Sequence, residues 1–155
     1  MYTRILVPVD GSKTSQKAAA EAARLAKLTG ARLKLLHIVD PLAHINGFET
    51  PATYLSELRP VFLKVGEQLV AQAKADIDTE EVNIETQVVE SAGERVSEII
   101  VDQAREWGAD LIVLGTHGRR GIERVMMGSD AEQVARIAPV PVLLVRHAEW
   151  HNAVW

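Results

Sequence analysis

Between Gly115 and Glu132 the chain reads GTHGRRGIERVMMGSDAE. This stretch holds four of the ten glycines, three arginines and a histidine, and it follows the apolar run Leu111–Leu114. Glycine leaves its backbone N–H unobstructed and reaches φ > 0 at little cost, freedoms that Gly115 and Gly118 offer here. Gly128 permits close approach just before Ser129, where a helix is expected to open. A helix N-terminus presents free N–H groups and the positive end of a dipole, a ready anion site. Between Gly115 and Ser129, Arg119, Arg120 and Arg124 stand against Glu123 alone, a local cationic surplus suited to one anion. These types at these spacings point to phosphate binding. The plainer alternative is a loop joining a strand to a helix.

The spacing matches neither the Walker loop, G-x-x-x-x-G-K-[ST], nor the dinucleotide fingerprint, G-x-G-x-x-G. Asp10 ends an apolar run before a turn, where aspartate is common for local reasons as well as chemical ones. His117 reads as a general acid or as a polar loop residue. Ser129-Asp-Ala-Glu132 has capping-box spacing, which would engage the Ser129 hydroxyl with its own helix. Asp130 suits a helix dipole but would repel a phosphate unless a cation lay between. Gly128-Ser-Asp-Ala is not the G-x-S-x-G elbow that exposes a nucleophile. His37, inside a strand-like run, reads as a core histidine with its polar atoms satisfied. Met126 and Met127 read as packing residues.

The elements that would position these residues alternate. Strands are expected at Thr3–Val9, Arg32–Val39, Asn83–Val89, Leu111–Leu114 and Pro141–Val145. A helix of about 16 residues, Thr14 to Thr29, ends at Gly30, glycine being usual just past a helix. Ala18, Ala19, Ala22, Ala23 and Ala26 mark its inner face, with Leu25 and Leu28. Asp40 to Pro60 has no clear period and reads as a long loop. A second helix is expected from Val61 to Ile77, with Phe62, Val65, Leu69 and Ala73 on one face. Ser91-Ala-Gly-Glu94 resembles a capping box opening a third helix, with Val96, Ile99, Ile100, Ala104 and Trp107 inward and Gly108 at its end. A fourth runs from Ser129 to Ile137. Alternation of this kind predicts an α/β fold, a single doubly wound parallel sheet with helices on both faces. The near-continuous apolar strands, Val142–Val145 among them, fit a sheet covered on both sides. In such sheets ligands bind beyond the C-terminal strand ends. The loops starting at Asp10, Asp40 and Gly115 leave that edge.

Gly115-Thr-His-Gly118, nine residues, then Gly128-Ser129 spells G-x2-G-x9-G-[ST]. This resembles the nucleotide-binding motif of the universal stress protein family. The resemblance extends to Ile5-Leu-Val-Pro-Val-Asp10-Gly-Ser12, to Leu35-Leu-His37-Ile-Val, and to Asp110 through Val145. Gly93-Glu94 stands where many relatives have Gly-Pro, a local change. The resemblance implies five parallel strands in the order 3-2-1-4-5 and a homodimer along the last strand, Pro141–Val145. It implies ATP, ADP or AMP as ligand, with Mg2+. By position, Asp10 would meet the ribose or a metal-bridged phosphate, with Pro8 beside it, and Ile38 would give backbone contacts to the adenine edge. Gly115, Thr116, His117, Gly118, Arg119 and Arg120 would wrap the ribose and phosphates. Gly128, Ser129 and the following amides of Asp130 and Ala131 would hold the terminal phosphates.

Composition bounds the rest. The 155 residues fit one domain, expected over 1–146 with a tail at 147–155 that carries two tryptophans. A formal charge of −4 argues against sequence-independent nucleic-acid binding, which needs a positive face. No apolar run approaches the roughly 20 residues of a membrane span, and the N-terminus lacks signal-peptide architecture. With no cysteine there is no disulfide framework and no thiolate metal site. A cytoplasmic location is the expectation. Three functions fit: a nucleotide-dependent regulatory protein with little turnover, a slow ATPase or phosphotransfer enzyme, and an interaction module with a vestigial site and an unknown protein partner.

Overall fold

The computed structural model describes residues 1–41, 50–77, 80–116 and 127–146. Five strands form one parallel sheet: β1 (Arg4–Pro8), β2 (Arg32–Val39), β3 (Ile84–Glu90), β4 (Leu111–Thr116) and β5 (Val142–Arg146). Their spatial order is β3-β2-β1-β4-β5, as expected. Strand order reverses at β1, whose neighbours are β2 and β4. Helices α1 (Lys13–Thr29), α4 (Val96–Trp107) and α5 (Met127–Ile137) cross between strands. The β2–β3 crossover holds a short α2 (Pro51–Thr53), a π-helical stretch Tyr54–Leu58, and α3 (Arg59–Ile77).

Alternate residues of the central strands feed two cores, as the period-2 geometry of a strand requires. Ile5, Val7, Leu33, Leu35 and Val113 pack against α1 and Val70 of α3. Leu6, Leu36, Ile38, Ile112 and Leu114 pack against α4 and α5. The α1 alanines bring that helix close to the sheet. Closest is Gly115 of β4, where a Cβ would lie 2.6 Å from the Thr14 carbonyl oxygen. Leu28 is not part of this face: it is 81% exposed.

Several local expectations are corrected. The second helix starts at Pro51, ten residues before Val61. Thr50 caps it, its hydroxyl accepting the Thr53 N–H at 3.2 Å, and proline suits a first helical position because its missing N–H would have had no partner. The π-helical stretch breaks the 3.6-residue period, which hid the helix in the pattern. It also places the wider turn just before Pro60, whose ring would clash in a regular helix interior. Val65 is 51% exposed, and the buried positions of α3 are Gly66 and Val70. Ser91–Glu94 forms its own turn, the Ser91 hydroxyl donating to the Glu94 carbonyl. The third long helix opens later, at Val96, with the Glu98 carboxylate reaching back to the Arg95 N–H. Helix α5 opens at Met127, so Ser129 lies inside its first turn rather than capping it. On β5, Leu143 and Leu144 are 36% and 42% exposed, so this edge strand is not covered on both faces.

Candidate functional site

The chain leaves β1 through Asp10-Gly11-Ser12 into α1. Gly11 adopts φ +82°, a left-handed conformation that side chains resist. Asp10 Oδ1 accepts the Ser12 N–H at 2.9 Å, an Asx-type turn. The Asp10 N–H donates to Ser15 Oγ at 3.3 Å, and Ser15 Oγ donates to the Ser12 carbonyl at 3.0 Å. Ser12 caps α1 by accepting the Ser15 N–H. Buried Ser15 therefore holds the Asp10 backbone in place. Sequence reasoning passed over it; the signal was a hydroxyl three residues into a helix that opens beside a strand end.

A cavity of about 370 Å³ lies over the C-terminal ends of β1 and β2. Pro8, Asp10 and Ile38, all expected at the site, line it together. Its other wall is Val61, Phe62, Val65 and Leu69 of α3. The sequence marked three of these as one helix face but not as a pocket wall, because an apolar period does not say whether that face meets the core or an opening at the strand ends. Glu90, at the end of β3, secures this wall: it accepts the Arg59 Nε–H at 2.6 Å and the Tyr54 hydroxyl at 3.4 Å. Burial, then the Glu90 charge and hydrogen bond, push the Tyr54 hydroxyl above its ordinary pKa.

The Ile38 backbone is open on one side. Pro8 pairs with Leu36, and the last β1–β2 rung is the Val9 N–H to the Leu36 carbonyl at 2.8 Å. Alternate residues of a strand face the same neighbour. The N–H and C=O of Ile38 therefore lie on the β1 side, one step past the last β1–β2 rung.

The glycine-rich stretch divides. Gly115 and Thr116 belong to β4, opposite Val145 and Arg146 of β5. Gly115 is extended rather than at positive φ, and its missing Cβ admits the α1 N-terminus. His117, Gly118, Arg119 and Arg120 lie outside the described residues. Gly128 and Ser129 sit in the opening turn of α5, where N–H groups have no intrahelical partner; the Ala131 N–H falls within the helix ladder, and its side chain is buried against α4.

Asp130 is partly buried, and its carboxylate lies near the Ser97 backbone at the start of α4. Burial, then the Asp40 charge, raises its pKa above the ordinary carboxylate value, while the Ser97 bond lowers it. His37 is satisfied as expected, its Nδ1 lying 2.8 Å from the Val9 carbonyl oxygen. Among the described residues no three His, Asp or Glu side chains cluster as a metal site, and no helix is long and apolar enough to cross a membrane.

A profile of the Universal stress protein family matches residues 1–146. A universal stress protein of Bacillus subtilis is 34% identical over 151 residues, covering 94% of this chain and all of its own. The crystal structure of a universal stress protein family member from Burkholderia pseudomallei is 35% identical, with a TM-score of 0.73, covering 93% of this chain and 96% of that one. A universal stress protein solved in complex with cAMP shares the fold at 24% identity and a TM-score of 0.60, over 95% of this chain and 98% of its own. Motif spacing, strand order and these matches agree: the chain belongs to the universal stress protein family.

Proposed function

We propose that the chain binds an adenine nucleotide at the C-terminal edge of its sheet and acts as a nucleotide-dependent regulatory protein with little turnover. The cavity carries this reading. It is an apolar slot between α3 and the strand ends, with Asp10 and the open Ile38 edge at its margin. That combination suits a planar base with a polar tail. The cAMP complex of the related fold makes an adenine nucleotide the first ligand to test.

Ser12 engages Asp10 Oδ1, which leaves Oδ2 for a ribose hydroxyl or for Mg2+ bridging phosphates. Mg2+ when bound would neutralise phosphate charge; it is usually held by one or two carboxylates together with the phosphates themselves. Gly115 to Arg120 would wrap the ribose and phosphates, and the open N–H groups of Gly128 and Ser129 would take the terminal phosphates. The exposed Leu143 and Leu144 favour a second copy of the chain on β5, giving a homodimer.

Titration calorimetry with ATP, ADP and AMP, with and without Mg2+, tests the reading. Binding by the wild type, lost in Asp10→Ala and Gly128→Val, supports it. No heat of binding at millimolar nucleotide refutes it. Product assays in the same samples measure turnover, and native mass spectrometry reads bound mass and subunit number together.

A further inference from the structure

His37 precedes Ile38 on β2 and lines the same cavity. Its Nδ1 lies 2.8 Å from the Val9 carbonyl oxygen. A carbonyl has no proton to give, so Nδ1 carries the hydrogen and donates. The Ile38 N–H faces β1, and the acceptor it would meet in the next rung of the parallel ladder is this same Val9 carbonyl. No backbone hydrogen bond joins Ile38 to Val9 among the described residues. The histidine ring holds the acceptor instead.

The ring is seated from the other side by Gly66 of α3. A Cβ there would lie 3.0 Å from His37 Cδ2, 3.2 Å from Val88 Cγ1 and 3.4 Å from Val39 Cγ2. Glycine inside a helix costs about 1 kcal/mol relative to alanine. Here it makes the space that keeps the imidazole against Val9.

We propose that His37 is a positioning residue of the nucleotide site. By occupying the Val9 carbonyl it ends the β1–β2 ladder one rung early and leaves the Ile38 N–H, beside the Ile38 carbonyl, open to a base. The inference rests on the adenine-nucleotide reading of this crevice. A donor beside an acceptor complements adenine, whose N1 accepts and whose exocyclic amine donates. Hypoxanthine reverses both, with a protonated N1 and a carbonyl at C6. The open rung therefore favours ATP over ITP.

Two variants separate this role from simple packing. His37→Phe keeps a ring but has no donor. His37→Asn places an amide nitrogen near the position of Nδ1. Affinities for ATP and ITP are measured by calorimetry, and Ile38 amide exchange by NMR on the ligand-free protein. In His37→Phe, ATP affinity is expected to fall about threefold to tenfold, as for the loss of one hydrogen bond, and the preference over ITP to shrink. The Ile38 amide, open in the wild type, gains protection as the ladder closes onto Val9. His37→Asn restores all three properties. Wild-type ATP affinity with unchanged Ile38 exchange in His37→Phe overturns the proposal, as does equal loss in both variants. If the wild type binds neither nucleotide, the ligand reading fails, and Ile38 exchange alone still decides whether His37 holds the rung open.

Discussion

Replacing Gly115 by alanine is the sharpest perturbation of the site's framework. The new Cβ would lie 2.6 Å from the Thr14 carbonyl oxygen, 2.7 Å from its carbonyl carbon and 3.0 Å from the Ser15 nitrogen, where ordinary contact begins at 3.4 Å. All three obstacles are backbone atoms, so no rotamer change relieves the clash. The first turn of α1 is also tied down by the Ser12 cap and the Ser15 hydroxyl. Overpacking of this kind costs about 1–3 kcal/mol, and a fixed backbone places this case near the top of the range. The narrower unfolded state of alanine offsets about 0.4–1 kcal/mol. A net loss of about 2 kcal/mol corresponds to a Tm drop of about 4–8 °C for a domain of this size. Gly30→Ala serves as the contrast. Gly30 has φ +73° and nothing within 4 Å of a Cβ, so only left-handed strain of about 1–2 kcal/mol applies. Thermal unfolding followed by circular dichroism gives both Tm values. NMR shifts then separate the causes, because Gly115→Ala should disturb Asp10, Ser12 and Ser15 while Gly30→Ala should leave them alone. A Gly115→Ala protein with wild-type Tm and unmoved Asp10–Ser15 resonances refutes the close-approach reasoning.

Three further outcomes are expected. Asp130 has a raised pKa, so its ionised form is disfavoured in the folded state, and that cost appears as pH rises above the ordinary carboxylate range. Asp130→Asn, which removes the disfavoured charge at nearly the same size, should therefore raise Tm by about 1–3 °C at pH 7, with the gain fading in acid; a lower Tm at pH 7 contradicts this. Asp110 behaves oppositely: burial would raise its pKa, but hydrogen bonds from the Arg4 and Thr3 backbone and the Thr3 hydroxyl hold it below the ordinary value. Its stabilisation is present above the ordinary carboxylate range and lost as pH falls through the lowered value, so Asp110→Asn should cost about 1 kcal/mol in urea unfolding at pH 7 and little near pH 3. If the proposed β5 dimer forms, Leu144→Arg, which places a charge on that exposed edge, should convert it to a monomer in sedimentation velocity; a wild type that is already monomeric refutes the dimer.

Much of the frame was legible because each strand and helix carries its own period. Continuous apolar runs marked β1, β2 and β4, and Gly30 and Gly108 marked helix ends that are indeed left-handed caps. Pro8, Asp10 and Ile38 were placed together by motif order, and the structure brings them to one cavity. The α2–α3 wall was not legible. Its π-helical stretch breaks the helical period, and Val61 and Val65 are apolar residues that face the opening rather than the core. The raised pKa of Asp130 was not legible for a related reason: it comes from burial and from the Asp40 charge, 90 positions away, which no local pattern indicates.

The sequence by itself determined the class of the fold, its strand order through the family motif, and that the loops after β1, β2 and β4 leave one edge of the sheet. These follow from local periodicity and from spacing, which a single chain displays in full. Only the tertiary structure decided what individual residues do there. It made Gly115 the contact with the α1 N-terminus, turned Asp130 toward α4, and set the His37 ring on the Val9 carbonyl beside the open Ile38 edge. Each of these is a hydrogen bond or close approach between segments distant in the chain, and such contacts exist only once the sheet and its helices are assembled.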